Sequence, residues 1–201
     1  MGSIQTGIDR PKAIELLSKI KFDANEHGLL PAFGVLLNQF PASFWNLFAQ
    51  KMIVSAGERL YNDVAGLLEN AAAECGYHTG WGIIHSQEFK AVIEPMIKKA
   101  PEDVLHGAFA VFTAWGWGDV QIVELIPNEK MVLHASNYYE MDIKETYKPK
   151  KPCAFMITGV ARAFFDIAYG PPYPTGLNTF RCEQTKGIEV GDPYGEFVVT
   201  K

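Results

Sequence analysis

The sequence predicts an α+β domain in which several helices pack against an antiparallel sheet. Three observations carry this expectation. Apolar residues recur at helical spacing through much of the first 115 positions. The period changes to two near Asp119. The strand-like runs then come in pairs joined by short polar links, and short links impose antiparallel pairing.

Pro11 to Phe22 reads as a first helix, with Ile14, Leu17 and Ile20 on one side and proline in the tolerated first turn. Between Phe22 and Pro41 the run LLPAFGVLL suits either a buried strand or a lid-like segment, and periodicity does not choose. Ser43 suits the N-cap of a helix through Phe44, Leu47 and Phe48. That helix continues past Leu60, Val64, Leu67 and Leu68, with a break near Gly57. In Glu74 to His85 three glycines suit a turn. Gly76 and Gly80, however, fall on one helix face and would admit a neighbouring backbone, with His78, Trp81 and His85 sharing another face. Helix is the favoured reading.

Glu88 to Lys99 and Pro101 to Trp115 are two further helices, the second opening on Glu102 and Asp103, where the helix dipole favours acids. Asp119 to Ile126 and Met131 to Asn137 read as strands joined by a turn at Pro127 to Lys130. Lys144 to Pro152 reads as an exposed basic loop. Cys153 to Tyr169 is a helix with a broad apolar surface, and Asn178 to Thr185 and Tyr194 to Thr200 form a closing strand pair.

The chain has 201 residues, 48% hydrophobic and 20% charged, enough for one domain with a well-buried core. A net charge of −5 argues against non-specific nucleic-acid binding, which needs a basic face. No apolar run reaches the roughly 18 residues of a membrane span, so no membrane insertion is expected. The N-terminus lacks the charged start and apolar run of a signal peptide, which makes a cytoplasmic location the expectation. Cys75, Cys153 and Cys182 are too scattered for a disulfide framework or a CxxC site. The expected organisation is an N-terminal helical extension over 1–50, packed on a domain over 51–201.

Several segments resemble the 4-vinyl reductase, or small hydrocarbon-binding, domain family. They are AGERLY from Ala56, CGYHTG from Cys75, WGWGDVQIVE from Trp115, and a strand ending in ASNYYE at Glu140. The C-terminal CAFMITGVARAFF and FRCEQTKGIEVGDPYGEFVV complete the likeness. It spans the chain from about residue 50 onward. The resemblance implies a fold shared with haem-based nitric-oxide sensor domains and with subunits of the TRAPP trafficking complex. It implies an apolar or aromatic ligand enclosed between helices and sheet, and a homodimer. Many members carry zinc on a cysteine at the start of the last helix and on Glu-x2-Cys-x7-Cys in the final hairpin. Here Cys153 matches the first position, but Gln184, Gly187 and Gly195 stand at the others. Zinc takes about four N, S or carboxylate ligands, so no metal is expected there, and no cofactor is expected elsewhere.

The candidate ligand-binding residues are Trp81, Trp115, Trp117, Tyr138, Tyr139, Phe164 and Tyr169. Each is also a plausible core or boundary aromatic. His134 sits on the strand face opposite Met131, Leu133 and Ala135, pointing either to solvent or into a pocket on that side. His106 sits on a helix among Leu105, Phe109 and Phe112. Arg162 interrupts an apolar helix and needs a carboxylate, either internal (Glu140, Asp166 or Glu183) or from an acidic ligand. No P-loop, dinucleotide fingerprint, nucleophile elbow or zinc-protease motif is present.

The expected function is therefore binding of a small apolar or aromatic molecule, as carrier, chaperone or sensor-type module. The alternative is an enzyme, a lyase, isomerase or reductase-like protein acting on a small aromatic or a tetrapyrrole. In that case His134 or His106 would be acid/base and Arg162 or a tyrosine would orient the substrate. A purely structural assembly subunit is a third possibility.

Overall fold

A computed structural model describes residues 5–38 and 40–201. The elements run α1 (Arg10–Leu17), β1 (Leu30–Ala32), β2 (Val35–Leu37), α2 (Ala42–His85), α3 (Gln87–Val92), α4 (Glu102–Ala114), β3 (Gly118–Ile126), β4 (Lys130–Tyr138), α5 (Phe155–Tyr169), β5 (Arg181–Lys186) and β6 (Gly195–Thr200). The sheet is antiparallel and four-stranded, in the order β3-β4-β6-β5. The α+β expectation holds.

The undecided run LLPAFGVLL is a hairpin. Phe33 and Gly34 both take positive φ, 53° and 74°, which closes the two-residue turn between β1 and β2. The α2 helix does break at Gly57, where φ is 63° and ψ is −179°. That conformation is open to glycine and costly to other residues. Glu74 to His85 is helical, as the Gly76/Gly80 spacing suggested.

Three boundaries differ from expectation. The N-cap of α2 is Pro41, not Ser43; its carbonyl accepts from the N–H of Phe44 at 2.9 Å. The helix expected over 88–99 stops at Val92 and continues only as a single 3₁₀ turn, Glu94–Met96, because Pro95 has no N–H to donate. The strand expected from Asn178 begins at Arg181. The carboxylate of Asp166 captures the N–H groups of Asn178 and Phe180, each at 2.9 Å.

One face of the sheet carries Val120, Met131, Leu133, Ala135, Phe197 and Val199, all at 0% exposure and packed on α4 and α5. Full burial of the valine, leucine, methionine and phenylalanine side chains among them is worth about 1.5–3 kcal/mol each. The most extensive helix–helix contact is between α2 and α5. A second core cluster, with Ala13, Leu17, Phe33, Ile93 and Val111, fastens α1 and the β1–β2 hairpin to α4.

The N-terminal segment is held by one carboxylate. Asp103 accepts from the Thr6 hydroxyl at 2.6 Å and from the N–H groups of Gly7, Lys98 and Lys99 at 2.8–2.9 Å. Burial alone would raise its pKa, yet these four donors bring it down to about 2. A depressed carboxyl stabilises the fold above its unfolded pKa of 3.8, and the contribution disappears as pH falls through about 2. Asp103→Ala is therefore expected to cost about 2–4 kcal/mol at pH 7. Urea unfolding should show that difference shrinking between pH 4 and pH 2. An equal deficit at both pH values would mean that lost packing, not the charge, sets the cost.

Candidate functional site

A pocket of about 220 Å³ opens between α2, which lines it on both sides of the Gly57 break, the start of α5 and the 3₁₀ turn Tyr139–Glu145. Its wall is mostly apolar: Trp45, Phe48, Leu68, Ile143, Phe155 and Met156. These residues arrive together because α2 packs along α5 while the 3₁₀ turn returns the chain from β4 across α2. An apolar cavity of about 150 Å³ accepts a benzene ring, so this one has room for a single substituted ring.

The polar groups of the pocket are few and placed by hydrogen bonds. Asn46 donates from Nδ2 to the carbonyl of Tyr139 at 2.8 Å. Its Oδ1 has no partner among the described residues. The carboxylate of Glu140 accepts from the N–H of Met156 at 2.8 Å and of Ile157 at 3.2 Å, so it caps the N-terminus of α5. Burial outweighs those two donors, and the charges of Glu189 and Glu69 act in the same direction as burial. Together they push Glu140 up to about 8. Near neutral pH this carboxyl holds a proton, and it can donate to or accept from a ligand hydroxyl. Cys75 and Cys153 also line the pocket. Burial, followed by the charges of Glu189 and Glu140, raises the Cys153 thiol far above its ordinary value, so it is not a reactive thiolate.

Of the seven candidate ligand-binding residues, Tyr139 is the one that lines this pocket. Trp81 stacks on Tyr173 at 4.5 Å and 5°, with His85 at 4.1 Å, so it secures the 170–180 segment to α2. Trp115 belongs to the second core, 3.7 Å from Phe33. Trp117 packs between Phe112 and Tyr139 at 5.8 and 6.1 Å. Phe164 is buried 5.3 Å from Phe109. Tyr169 lies 4.9 Å from Phe165, and its buried hydroxyl has no partner among the described residues. Tyr138 is buried and donates to Glu189.

The three candidate catalytic residues lie elsewhere. His134 is on the outer sheet face, where its Nε2 is 3.1 Å from Glu196 and its ring 4.3 Å from Tyr194. His106 is half-buried on α4, and burial lowers its pKa, opposed by the charge of Asp103. Arg162 donates to Asn70 at 3.0 Å rather than to a carboxylate. Trp45, Asn46 and Phe48 line the pocket but were not among the candidate site residues of the sequence. Their one legible signal was a polar residue set within an aromatic helix face.

The residues at the implied zinc positions do not fit a metal. Gln184 is committed to protein partners: its Oε1 accepts from the N–H of Ala154 at 2.8 Å and its Nε2 donates to Glu189 at 2.9 Å. Gly187 and Gly195 have no side chain. A Cβ at Gly187 would come 2.6 Å from Glu189 Oε1, and one at Gly195 would come 2.9 Å from the ring of Tyr138. Among the described residues no group of His, Cys, Asp and Glu is arranged to hold a metal ion.

The fold places the chain among α+β domains of a known type. It is similar to the phenol-responsive sensory domain of the transcription activator PoxR with phenol. The TM-score is 0.68 at 12% identity, over 96% of this chain and 90% of that one. It is also similar to a trafficking protein particle complex subunit 3 from Naegleria fowleri, covalently bound to palmitic acid. There the TM-score is 0.50 at 14% identity, over 79% of this chain and 93% of that one. A vinyl-4-reductase family protein from Methanocaldococcus jannaschii aligns at 0.45 and 14% identity, over 100% and 98% of the two chains. No family model and no curated protein matches the sequence. The fold is thus the one the sequence resemblance implied, shared by a sensory domain and a trafficking subunit. Among the described residues no helix is long and apolar enough to cross a membrane.

Proposed function

We propose that the chain binds a small monocyclic aromatic bearing a hydroxyl, such as a phenol, in the pocket between α2 and α5. The carrying observation is an apolar pocket of about 220 Å³ that holds one buried carboxyl, Glu140, on its wall. Sites for small ligands combine this kind of apolar lining with few placed polar groups. The fold it shares with a phenol-responsive sensory domain supports the same reading. Glu140 and the open Oδ1 of Asn46 supply hydrogen bonds for a ring hydroxyl, while Trp45 and Phe48 supply ring contacts. His134, His106 and Arg162 do not line the pocket, so the proposed role is binding, as a carrier or sensor-type module of the cytoplasm, rather than turnover.

A second copy of the chain is proposed to cover the mouth of this region. Phe40 stacks on Phe44 at 4.7 Å, and Phe44 on Phe48 at 6.4 Å. These rings are 43–51% exposed. A contiguous exposed apolar patch beside a pocket marks an interaction surface.

One set of titrations checks both proposals. Phenol added to the protein should quench or shift Trp45 fluorescence with saturation. Ala49→Trp, which fills the pocket, should weaken binding at least ~10-fold. Sedimentation of the same samples should report a dimer. Phenol affinity unchanged in Ala49→Trp would remove the pocket assignment, and a monomer at all concentrations would remove the dimer.

A further inference from the structure

We propose that Glu189 is a carboxylate clasp occupying the place where the resembling family carries zinc, so that this chain fastens the same elements with hydrogen bonds alone. The clasp joins three parts of the chain that are far apart in sequence. Glu189 Oε1 accepts from the N–H of Cys153, just before α5, at 2.8 Å, and from Gln184 Nε2, on β5, at 2.9 Å. Glu189 Oε2 accepts from the hydroxyl of Tyr138, the last residue of β4. That hydroxyl in turn accepts from the N–H of Ile188 at 2.8 Å, closing the link between β5 and β6 onto β4. Gln184 completes the set by accepting from the N–H of Ala154.

The chemistry of the site fits a clasp and excludes a shared ion. Each carboxylate oxygen has about two lone-pair directions. Both of those on Oε1 are taken by N–H donors, and Oε2 faces a phenol hydroxyl. Glu189 is 5% exposed, so these bonds are shielded from bulk water. Gly187 and Gly195 leave the space that the clasp fills: a side chain at Gly187 would strike the Glu189 carboxyl, and one at Gly195 would strike the Tyr138 ring. The two glycines are thus the counterpart of the carboxylate, because ligating side chains at those places and Glu189 cannot coexist. Glu140 extends the arrangement by taking the next N–H groups of α5, those of Met156 and Ile157. The start of α5 is therefore held by two carboxyl groups and an amide. This stands whether or not the pocket takes a phenol.

Amide hydrogen exchange of the full chain, with metal analysis of the same preparation, tests the clasp. In the wild type the Cys153, Ala154 and Ile188 amides should be protected, with no change on adding EDTA or zinc. Glu189→Ala should speed exchange at Cys153 and Ile188 about 100-fold, whereas the remote Asp103→Ala should leave both unchanged. Glu189→Gln covers the case in which the alanine variant does not fold. It keeps a carbonyl for the Cys153 N–H but aims an NH2 group at the Tyr138 hydroxyl. Exchange should then rise more than ~10-fold at Ile188 and stay within ~3-fold at Cys153. Two results overturn the clasp. One is equimolar zinc that protects these amides until EDTA removes it. The other is wild-type exchange at Cys153 and Ile188 in both Glu189 variants.

Discussion

Replacing Gly159 by alanine is expected to lower stability by about 2–4 kcal/mol, although alanine is the better helix former by ~1 kcal/mol. A Cβ at Gly159 would lie 2.4 Å from the carbonyl oxygen of Glu69, 2.6 Å from Ala72 Cβ and 2.7 Å from the N of Ala73. Two of those three atoms belong to the α2 backbone, which cannot rotate out of the way. The helices would have to separate, and α2 against α5 is the largest helix contact in the molecule. It also forms two walls of the pocket. For a chain of this size the cost corresponds to a fall in Tm of about 5–15 °C. Gly66, on α2 with nothing within 4 Å of its Cβ position, is the internal comparison. Gly66→Ala is expected to raise stability by ~0.5–1 kcal/mol. Calorimetry of the two variants decides the matter: if both are stabilised, close backbone approach at Gly159 has no energetic consequence.

The second large effect is a dependence of stability on pH that resides in Glu140. Its pKa is raised from 4.5 to about 8, chiefly by burial. A carboxyl raised in the folded state binds a proton there that the unfolded chain has released. The stabilisation is full below pH 4.5 and is lost as pH rises through about 8. The shift sets a ceiling of about 5 kcal/mol on that loss, from 1.36 kcal/mol per unit. The opposing pull of the Met156 and Ile157 N–H groups is already contained in that shift, so a loss of several kcal/mol, up to about 5, is expected.

Glu140→Gln keeps the shape and one carbonyl acceptor but cannot titrate. Denaturant unfolding at pH 5, 6.5 and 8 should show the wild-type advantage over Glu140→Gln shrinking steadily with pH. Because other acids titrate in both proteins, the difference between the two curves isolates Glu140. A constant difference across that range would mean that the two α5 N–H donors outweigh burial and keep the carboxyl ionised.

These two residues also show how far the sequence reaches. Gly76 and Gly80 could be read as a face prepared for a close neighbour, because the helical period alone puts them together. Gly159 could not, since its close neighbours are backbone atoms some ninety residues earlier in the chain. The β3–β4 and β5–β6 pairs were legible from alternation and polar links, and the break at Gly57 from the residue type, whereas the β1–β2 hairpin was not. The alternation around His134 placed it correctly on the face away from Met131 and Leu133, and the structure finds Glu196 beside it. What covered that face was not legible.

Glu140 was named in the sequence only as a possible partner for Arg162. Arg162 instead meets Asn70, and Glu140 meets the start of α5. Side-chain pairing depends on the rotation of one element against another, which periodicity does not contain. The same holds for the aromatic residues. Trp81, Trp115 and Trp117 were reasonable walls for a planar ligand by type, but burial distributes them over the stack on Tyr173, the second core and the main core.

By itself, the sequence determined the class of fold, the β3–β4 and β5–β6 pairs, the glycine-dependent break in α2 and the lack of a zinc ligand set, because each rests on local period, residue type or covalent chemistry. Only the tertiary structure decided which helix faces line the pocket, that Glu140 sits buried on its wall, and that Glu189 fills the space left by Gly187 and Gly195. Those depend on how α2 lies across α5 and on where the chain returns after β4. That geometry comes from contacts between residues distant in sequence, and no local pattern records it.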